Sequence, residues 1–496
     1  MAGLKSLVKD TAIYGISSIL GRFLNWCLVP MYVRVLQSVS DYGVVTNLYS
    51  WTAFAMVLLT FGMETGFFRF ANKPDADEKK VYSSSFWFVT LLSAIFLIAM
   101  FLFINPIASA LDYQGSESYI LMLSVIVAMD AISAIPFAYL RLKNRPYRFA
   151  GLRLLFIFSN IALNLFFFLL CPQIQQSHPE WISWFYNPDY SVGYVFVANL
   201  LCTTFATIML FPEIRKAFTM PDFGIMKSLI KYCFPLLILG IAGMINQTAD
   251  KMLFPLLFPD PDEAFYQLGI YGANFKIAVV MVMFIQAFRF AYEPFVFAQN
   301  KGTDKRGAYA AAMKYFILCT FVIFLGITGY LDILKLLIVP EYYPGLKVVP
   351  IVMLAEICFG IFFNLSFWYK LCDKTQWGAY FSLGGCFLTV LINVLFVPKY
   401  GYMASAFASL ISYTLMMILS YIIGQRIYPI KYDMKAIGFY TLCFIGLYAA
   451  QLVLQVENLY LRLSINTVIL ITFMAIIIQR EIGLSKIKSY THKFKR

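Results

Sequence analysis

The chain has 496 residues, of which 61% are hydrophobic, 18% aromatic and 13% charged, with a formal net charge of +13. Soluble domains are about half apolar and about a quarter charged, so a water-soluble chain of this length would lack its polar shell. Fourteen spans of about 20 residues would leave connections too short for a separate soluble catalytic domain, and the composition points to a polytopic membrane protein.

In chain order the apolar tracts fall at 12–33, 43–63, 84–105, 119–140, 149–170, 192–212, 230–254, 268–292, 310–330, 347–369, 377–397, 402–424, 436–455 and 461–479. Backbone amides cannot stay unpaired in hydrocarbon, so tracts of this length read as helices. Transmembrane strands would be about half as long and would alternate polar with apolar residues, which these tracts do not. The first tract is too long for a signal-peptide core, contains Arg22 and ends Pro30-Met31-Tyr32-Val33-Arg34 without a small-residue cleavage site. It reads as a retained first span. Most of the nine cysteines lie within tracts and none forms a CxxC pair, so they read as packing thiols.

Charge fixes the expected orientation. Alternate connections starting from the N-terminus collect 30 basic residues, among them Arg141, Lys143, Arg145, Arg148 and Arg153. The opposite side holds six: Arg34, Lys251, Lys335, Lys347, Lys399 and Arg462. By the positive-inside rule both termini are cytoplasmic and the span count is even. The same excess accounts for the net charge through contact with anionic lipid, without nucleic-acid binding.

Weak internal similarity suggests a repeat. The fifth tract ends Asn164-Leu165-Phe166-Phe167-Phe168-Leu169-Leu170-Cys171-Pro172 and the eleventh Asn393-Val394-Leu395-Phe396-Val397-Pro398, with Gly193 and Gly401 opening the tracts that follow. Tyr42-Gly43 and Tyr271-Gly272 correspond in the same way. The expected architecture is all-α: two pseudo-symmetric six-helix lobes, 1–212 and 213–426, then a helix pair and basic tail over 427–496.

Several chemistries are excluded or disfavoured. There is no GxxxxGK[ST] phosphate loop, and the two histidines, His178 and His492, lie outside the tracts. The connections near 171–191 and 255–267 are short, which disfavours an integral-membrane polymerase or ligase. Transport is favoured over catalysis, and no cofactor or metal is implied.

The ionisable residues inside tracts are the site candidates, since each is costly in lipid and should face a cavity or a partner. Arg22 lies near the middle of the first tract, with Ser18 and Asn25 on the same stripe. A guanidinium there suits an anionic group such as a phosphate. The eighth tract carries Lys276 and, toward its cytoplasmic end, Gln286, Arg289 and Glu293 on a shared face. The acids are Glu64, Asp130, Asp250 and Glu356, with Asn246 one turn before Asp250. Asp130, Glu356, Asp250 and Asn246 are the candidates for coupling to H⁺ or Na⁺.

Lys9-Asp10-Thr11…Gly21-Arg22…Pro30, Tyr42-Gly43-Val44, Gly62-Met63-Glu64-Thr65-Gly66…Arg69-Phe70, Asp250-Lys251, Ala287…Glu293-Pro294 and Asn393…Pro398-Lys399-Tyr400-Gly401 resemble bacterial polysaccharide-export flippases. These belong to the multidrug/oligosaccharidyl-lipid/polysaccharide exporter superfamily. The resemblance spans essentially the whole chain. It implies translocation of an undecaprenyl-pyrophosphate-linked oligosaccharide, as in O-antigen or capsule assembly, from the cytoplasmic to the periplasmic leaflet of the inner membrane. It also implies two lobes that alternate access without consuming ATP, with H⁺, Na⁺ or the membrane potential as driving force. Partners implied are the lipid-linked oligosaccharide, membrane lipids, a polysaccharide polymerase and a chain-length regulator, acting on a monomer. Lys251 stands where the family more often has Arg, keeping charge but losing the planar fork. The alternatives are an ion-coupled multidrug/cation antiporter on the same scaffold and a lipid II flippase.

The charge asymmetry makes a topological prediction. Reporter fusions after Arg496 should report cytoplasm and fusions within 172–190 periplasm; a periplasmic C-terminus would require an odd span count and contradict the charge reading.

Overall fold

The computed structural model describes residues 20–21, 23–24, 26–74, 76–258, 260–299, 305–372, 374–481 and 483. Helices and turns make up this part, with no strand among the described residues. The helices that matter below are α1 (Val29–Val35), α2 (Val39–Thr60), α3 (Met63–Ala71), α4 (Glu78–Leu102), α5 (Glu117–Leu142), α6 (Pro146–Leu165) and α7 (Gly193–Met209). They continue as α8 (Phe223–Met252), α9 (Pro261–Gln299), α10 (Lys305–Gly329), α11 (Val348–Leu365), α12 (Gln376–Tyr400), α13 (Tyr402–Ile427), α14 (Met434–Val453) and α15 (Leu459–Glu481).

Twelve helices among the described residues are long and apolar enough to cross a membrane. The number is thirteen if α7 and Phe211–Ala217, bent by 52°, form one span. Each apolar tract after the first coincides with one of these helices. Residues 12–19 of the first tract, Ser18 among them, and Arg22 and Asn25 lie outside the described residues; the end of the tract forms α1. The protein is an all-α, multi-pass membrane protein.

Polar side chains start the helices at the ends of the spans. Ser38 and Asp41 form a reciprocal capping box on α2. Asp77 accepts from the amides of Lys79 and Lys80, and Asp222 from those of Gly224 and Ile225. The second span breaks where Phe61 and Gly62 take left-handed φ values of 54° and 70°. The break restarts the helix as α3 and puts Glu64 in its first turn.

The chain divides into two compact units, Met1–Ala273 with Ser382–Ser409, and Asn274–Phe381 with Leu410–Arg496. In the first unit α2 and the start of α9 approach until their backbones touch. A methyl group on Gly43 would collide with the Phe265 carbonyl, and one on Gly269 with the Val39 carbonyl. Lipid tails are as apolar as leucine, so helices in a bilayer associate through such close packing and through hydrogen bonds. A core of Leu59, Met63, Phe67, Tyr82, Val127 and Ala131 knits α2, α3, α4 and α5.

Hydrogen bonds pin the same unit. The Tyr32 hydroxyl donates to Asn164 Oδ1 (2.7 Å), Tyr113 to Asn47 Oδ1 (2.9 Å), and Asn47 Nδ2 to the Lys251 carbonyl (2.7 Å). Ser405 donates to Asn393 Oδ1 (2.7 Å). The asparagines that close the similar tract ends, Asn164 and Asn393, are both fully buried. In the second unit Phe321 stacks on Phe444 at 4.2 Å, joining α10 to α14. Lys314 and the Tyr440 hydroxyl meet Glu481 at 2.6 and 2.9 Å, tying α15 to both.

Candidate functional site

Within the first unit, α2, α3, α5, α6 and α7 surround a cavity of about 640 Å³. Its wall is mixed in character: apolar residues such as Met56, Ile126 and Phe137 alternate with Asp130, Arg153, Glu64, Arg141 and Asn199. Asp130 lies halfway along α5, and Arg153 two turns into α6.

The charged groups play two different parts. Arg141, at the end of α5, pairs with Glu64 on α3 and lies over the Phe68 ring at 5.1 Å. Arg153 and Asp130 interact through space, but neither makes a hydrogen bond or contact ion pair among the described residues. The Arg153 guanidinium lies 4.2 Å from the Phe137 ring centre and 5.7 Å from that of Phe149, and its side chain is exposed to the cavity. An aromatic face holds an arginine by cation–π attraction while leaving its N–H fork available. Deeper in the wall, Asn199 Nδ2 donates to the Tyr49 hydroxyl at 3.0 Å, and Ser133 lies 3.4 Å from the Thr207 hydroxyl. The site therefore offers one available guanidinium, one available carboxylate and several neutral oxygens in an otherwise apolar bundle.

The sequence-derived candidates distribute as follows. Asp130 lines this cavity and Glu64 is paired at its rim. Arg153, counted above among the topogenic cations of a connection, is instead part of the cavity wall. It lies inside tract 149–170, and a cation within a span was the signal that marked it.

Asp250 and Lys251 form a buried pair, 3% and 9% exposed, with Lys251 Nζ 2.7 Å from Asp250 Oδ2. The Tyr271 hydroxyl donates to the same oxygen at 2.6 Å. Asp250 Oδ1 is buried without a hydrogen bond among the described residues. Asn246 joins α8 to α12: its Oδ1 accepts from Thr389 at 2.9 Å and its Nδ2 donates to the Ser382 carbonyl at 3.2 Å. In the second unit, Lys276 on α9 and Glu356 on α11 are half-buried, and Arg289 packs over the Phe363 ring at 3.8 Å. Ser18, Arg22 and Asn25 lie outside the described residues, as does the Glu293 side chain. Among the described residues no three His, Cys, Asp or Glu side chains converge as a metal site.

Removing one partner of a buried ion pair strands the other charge at a cost of about 3–5 kcal/mol, whereas replacing both by apolar groups is close to neutral. Asp250→Ala should therefore lower the thermal midpoint of the purified protein markedly, and Asp250→Ala combined with Lys251→Met should recover most of it. An Asp250→Ala variant with unaltered stability but altered Na⁺ dependence of transport would make the carboxylate a coupling group and not a brace.

The family model described as polysaccharide biosynthesis protein matches residues 7–296, more than half of the chain. Among solved structures, the fold is similar to that of the lipid II flippase MurJ in an inward closed conformation. The TM-score is 0.69 and the identity 14%, over 96% of this chain and 100% of that one. It is also similar to an inward-facing multidrug resistance MATE family transporter of the MOP superfamily (TM-score 0.66, 12% identity, 82% of this chain and 95% of that one). An outward-facing MATE transporter matches with TM-score 0.56 and 13% identity, over 86% of this chain and 96% of that one. No curated protein matches the sequence.

Proposed function

The chain belongs to the polysaccharide biosynthesis protein family, and from that premise we propose that it is a flippase for lipid-linked oligosaccharides. In this reading it moves undecaprenyl-pyrophosphate-linked repeat units from the cytoplasmic to the periplasmic leaflet of a bacterial inner membrane. It works by alternating access, without ATP hydrolysis and with both termini cytoplasmic. The observation that carries the reading is the Arg153 guanidinium, held on aromatic faces in a polar cavity and free of any contact ion pair among the described residues.

A pyrophosphate carries about two negative charges, and an unpaired charge in a low-dielectric region costs several kcal/mol or more. A fixed arginine lowers that cost through charge-assisted, bidentate hydrogen bonds. The polar wall around Asn199, Tyr49 and Ser133 suits the sugar hydroxyls, while the polyprenyl tail stays in the bilayer. Asp130 supplies the coupling. It balances Arg153 when the cavity is empty and repels a pyrophosphate when the cavity is filled, so a proton or cation taken up at Asp130 favours substrate binding, and the reverse. Lys276, Arg289 and Arg22 with Ser18 and Asn25 are further substrate-binding candidates, as is Lys251, although its ammonium is already engaged by Asp250. Glu356, Asp250 and Asn246 are further coupling candidates. The protein acts as a monomer beside a polymerase and chain-length regulator, and is not itself an enzyme.

The test is leaflet exchange of undecaprenyl-pyrophosphate-linked oligosaccharide in proteoliposomes without nucleotide. Arg153→Ala should slow exchange by about tenfold or more, the loss of a charge-assisted contact. Arg153→Lys should retain part of the rate, and Asp130→Asn should change its dependence on pH or Na⁺. Thermal midpoints serve as the folding control. A wild-type rate in a folded Arg153→Ala variant would remove this arginine from the site. Exchange of lipid II but not of the oligosaccharide would make the protein a lipid II flippase, and counter-transport of organic cations with neither lipid an antiporter.

A further inference from the structure

Three of the six basic residues that the sequence assigns to the basic-poor face come together in the second unit. Lys335, Lys347 and Arg462 line one cavity of about 280 Å³ at the ends of α10 and α14 and the starts of α11 and α15. The one acid in its wall, Asp332, is shared: Lys335 Nζ meets Asp332 Oδ1 at 2.6 Å, and Arg462 Nε lies 2.7 Å from Asp332 Oδ2. The wall thus carries three cations to one carboxylate. Arg462 approaches Asp332 through Nε, and its two Nη groups make no hydrogen bond to protein among the described residues. The floor is polar and already satisfied. Gln451 accepts from Thr328 at 3.0 Å and donates to the Leu325 carbonyl at 3.1 Å, while Asn466 donates to the Gly329 carbonyl at 2.8 Å.

The surroundings are apolar and outward-facing. Leu452, Val453 and Leu461, at the end of α14 and the start of α15, are 54%, 80% and 51% exposed, and Leu336 in the connection from α10 to α11 is 61% exposed. A positively charged cavity bordered by exposed aliphatic side chains at the end of a membrane bundle fits a group with an anionic head and hydrocarbon chains. A guanidinium fork with free N–H groups beside two ammonium groups is the donor set that phosphate oxygens satisfy. Basic pockets between membrane helices hold anionic lipid heads by this means.

We propose that the cavity formed by Lys335, Lys347 and Arg462 binds the phosphate of an anionic phospholipid, with the acyl chains against the exposed leucines of α14 and α15. Asp332 competes with that phosphate for two of its three cations and so sets the affinity. The site is separate from the cavity of Asp130 and Arg153 and does not rest on the flippase reading.

The full chain in phosphatidylcholine nanodiscs, titrated with phosphatidylglycerol and separately with inorganic phosphate, tests this by thermal midpoint and by native mass spectrometry of retained lipid. Phosphatidylglycerol should stabilise the wild type and remain bound. Lys335→Gln with Arg462→Gln should weaken that response about tenfold or more. Asp332→Asn should strengthen it, a gain that a merely structural role for the cluster would not produce. Lys347→Gln, which leaves both ion pairs of Asp332 intact, serves where the double variant fails to fold, and it too should weaken the response. A response to phosphatidylglycerol unchanged by these substitutions, or no greater than that to phosphatidylcholine, overturns the proposal. Stabilisation by inorganic phosphate without any by phosphatidylglycerol overturns the lipid as its source.

Discussion

In a chain this apolar, every charge that enters the membrane region must be paired, wrapped by donors or turned toward water. The described residues show the first two solutions side by side. Asp250, Lys251 and the Tyr271 hydroxyl close on one another, and Asn246, Asn164 and Asn393 each accept a hydroxyl from a neighbouring helix. These groups hold helices together. In hydrocarbon an unsatisfied amide or carboxylate costs several kcal/mol, so each satisfied one also fixes which helices are neighbours. Asp130 and Arg153 follow the third course, which is why a functional rather than a bracing role is assigned to them. They stand in a cavity without a contact ion pair or hydrogen bond among the described residues.

Packing supplies the frame for that cavity. The backbone contact at Gly43 and Gly269 brings α2 against the start of α9, and the core around Met63 and Phe67 seats α3 beside α4 and α5. The break at Phe61–Gly62 swings Glu64 to where Arg141 can engage it. With Arg141 neutralised in this way, Arg153 is the cation left available in that wall. The division of labour between two arginines on adjacent helices follows from one interruption in a span.

Much of the architecture was legible in the sequence because hydropathy is a local property. Each tract after the first became a helix, since about 20 apolar residues in a bilayer have no other way to satisfy their amides. Asp130 was legible for the same reason: a carboxylate amid aliphatic residues has to be accounted for. Partnership was not legible. Nothing local links Asp250 to Tyr271, Asn246 to Thr389, or Asp332 to Arg462, because these pairs are made between helices and connections well separated in the chain. Arg153 was passed over for a subtler reason. It follows Arg145 and Arg148, and a run of cations at the start of a span reads as a topogenic signal, although its position on α6 turns it inward. The basic cavity around Asp332 draws on residues spread from 328 to 466, which no motif search would join.

The central claim is that the cavity of Asp130 and Arg153 is a water-filled compartment that receives the substrate. Its most direct test is cysteine accessibility in a variant with the nine native cysteines replaced. The account predicts that Ser133→Cys reacts with a membrane-impermeant thiosulfonate and that lipid-linked oligosaccharide slows the reaction, while Ile98→Cys on the exposed face of α4 stays unreactive. An unreactive Ser133→Cys, or one labelled equally fast with substrate present, would contradict it.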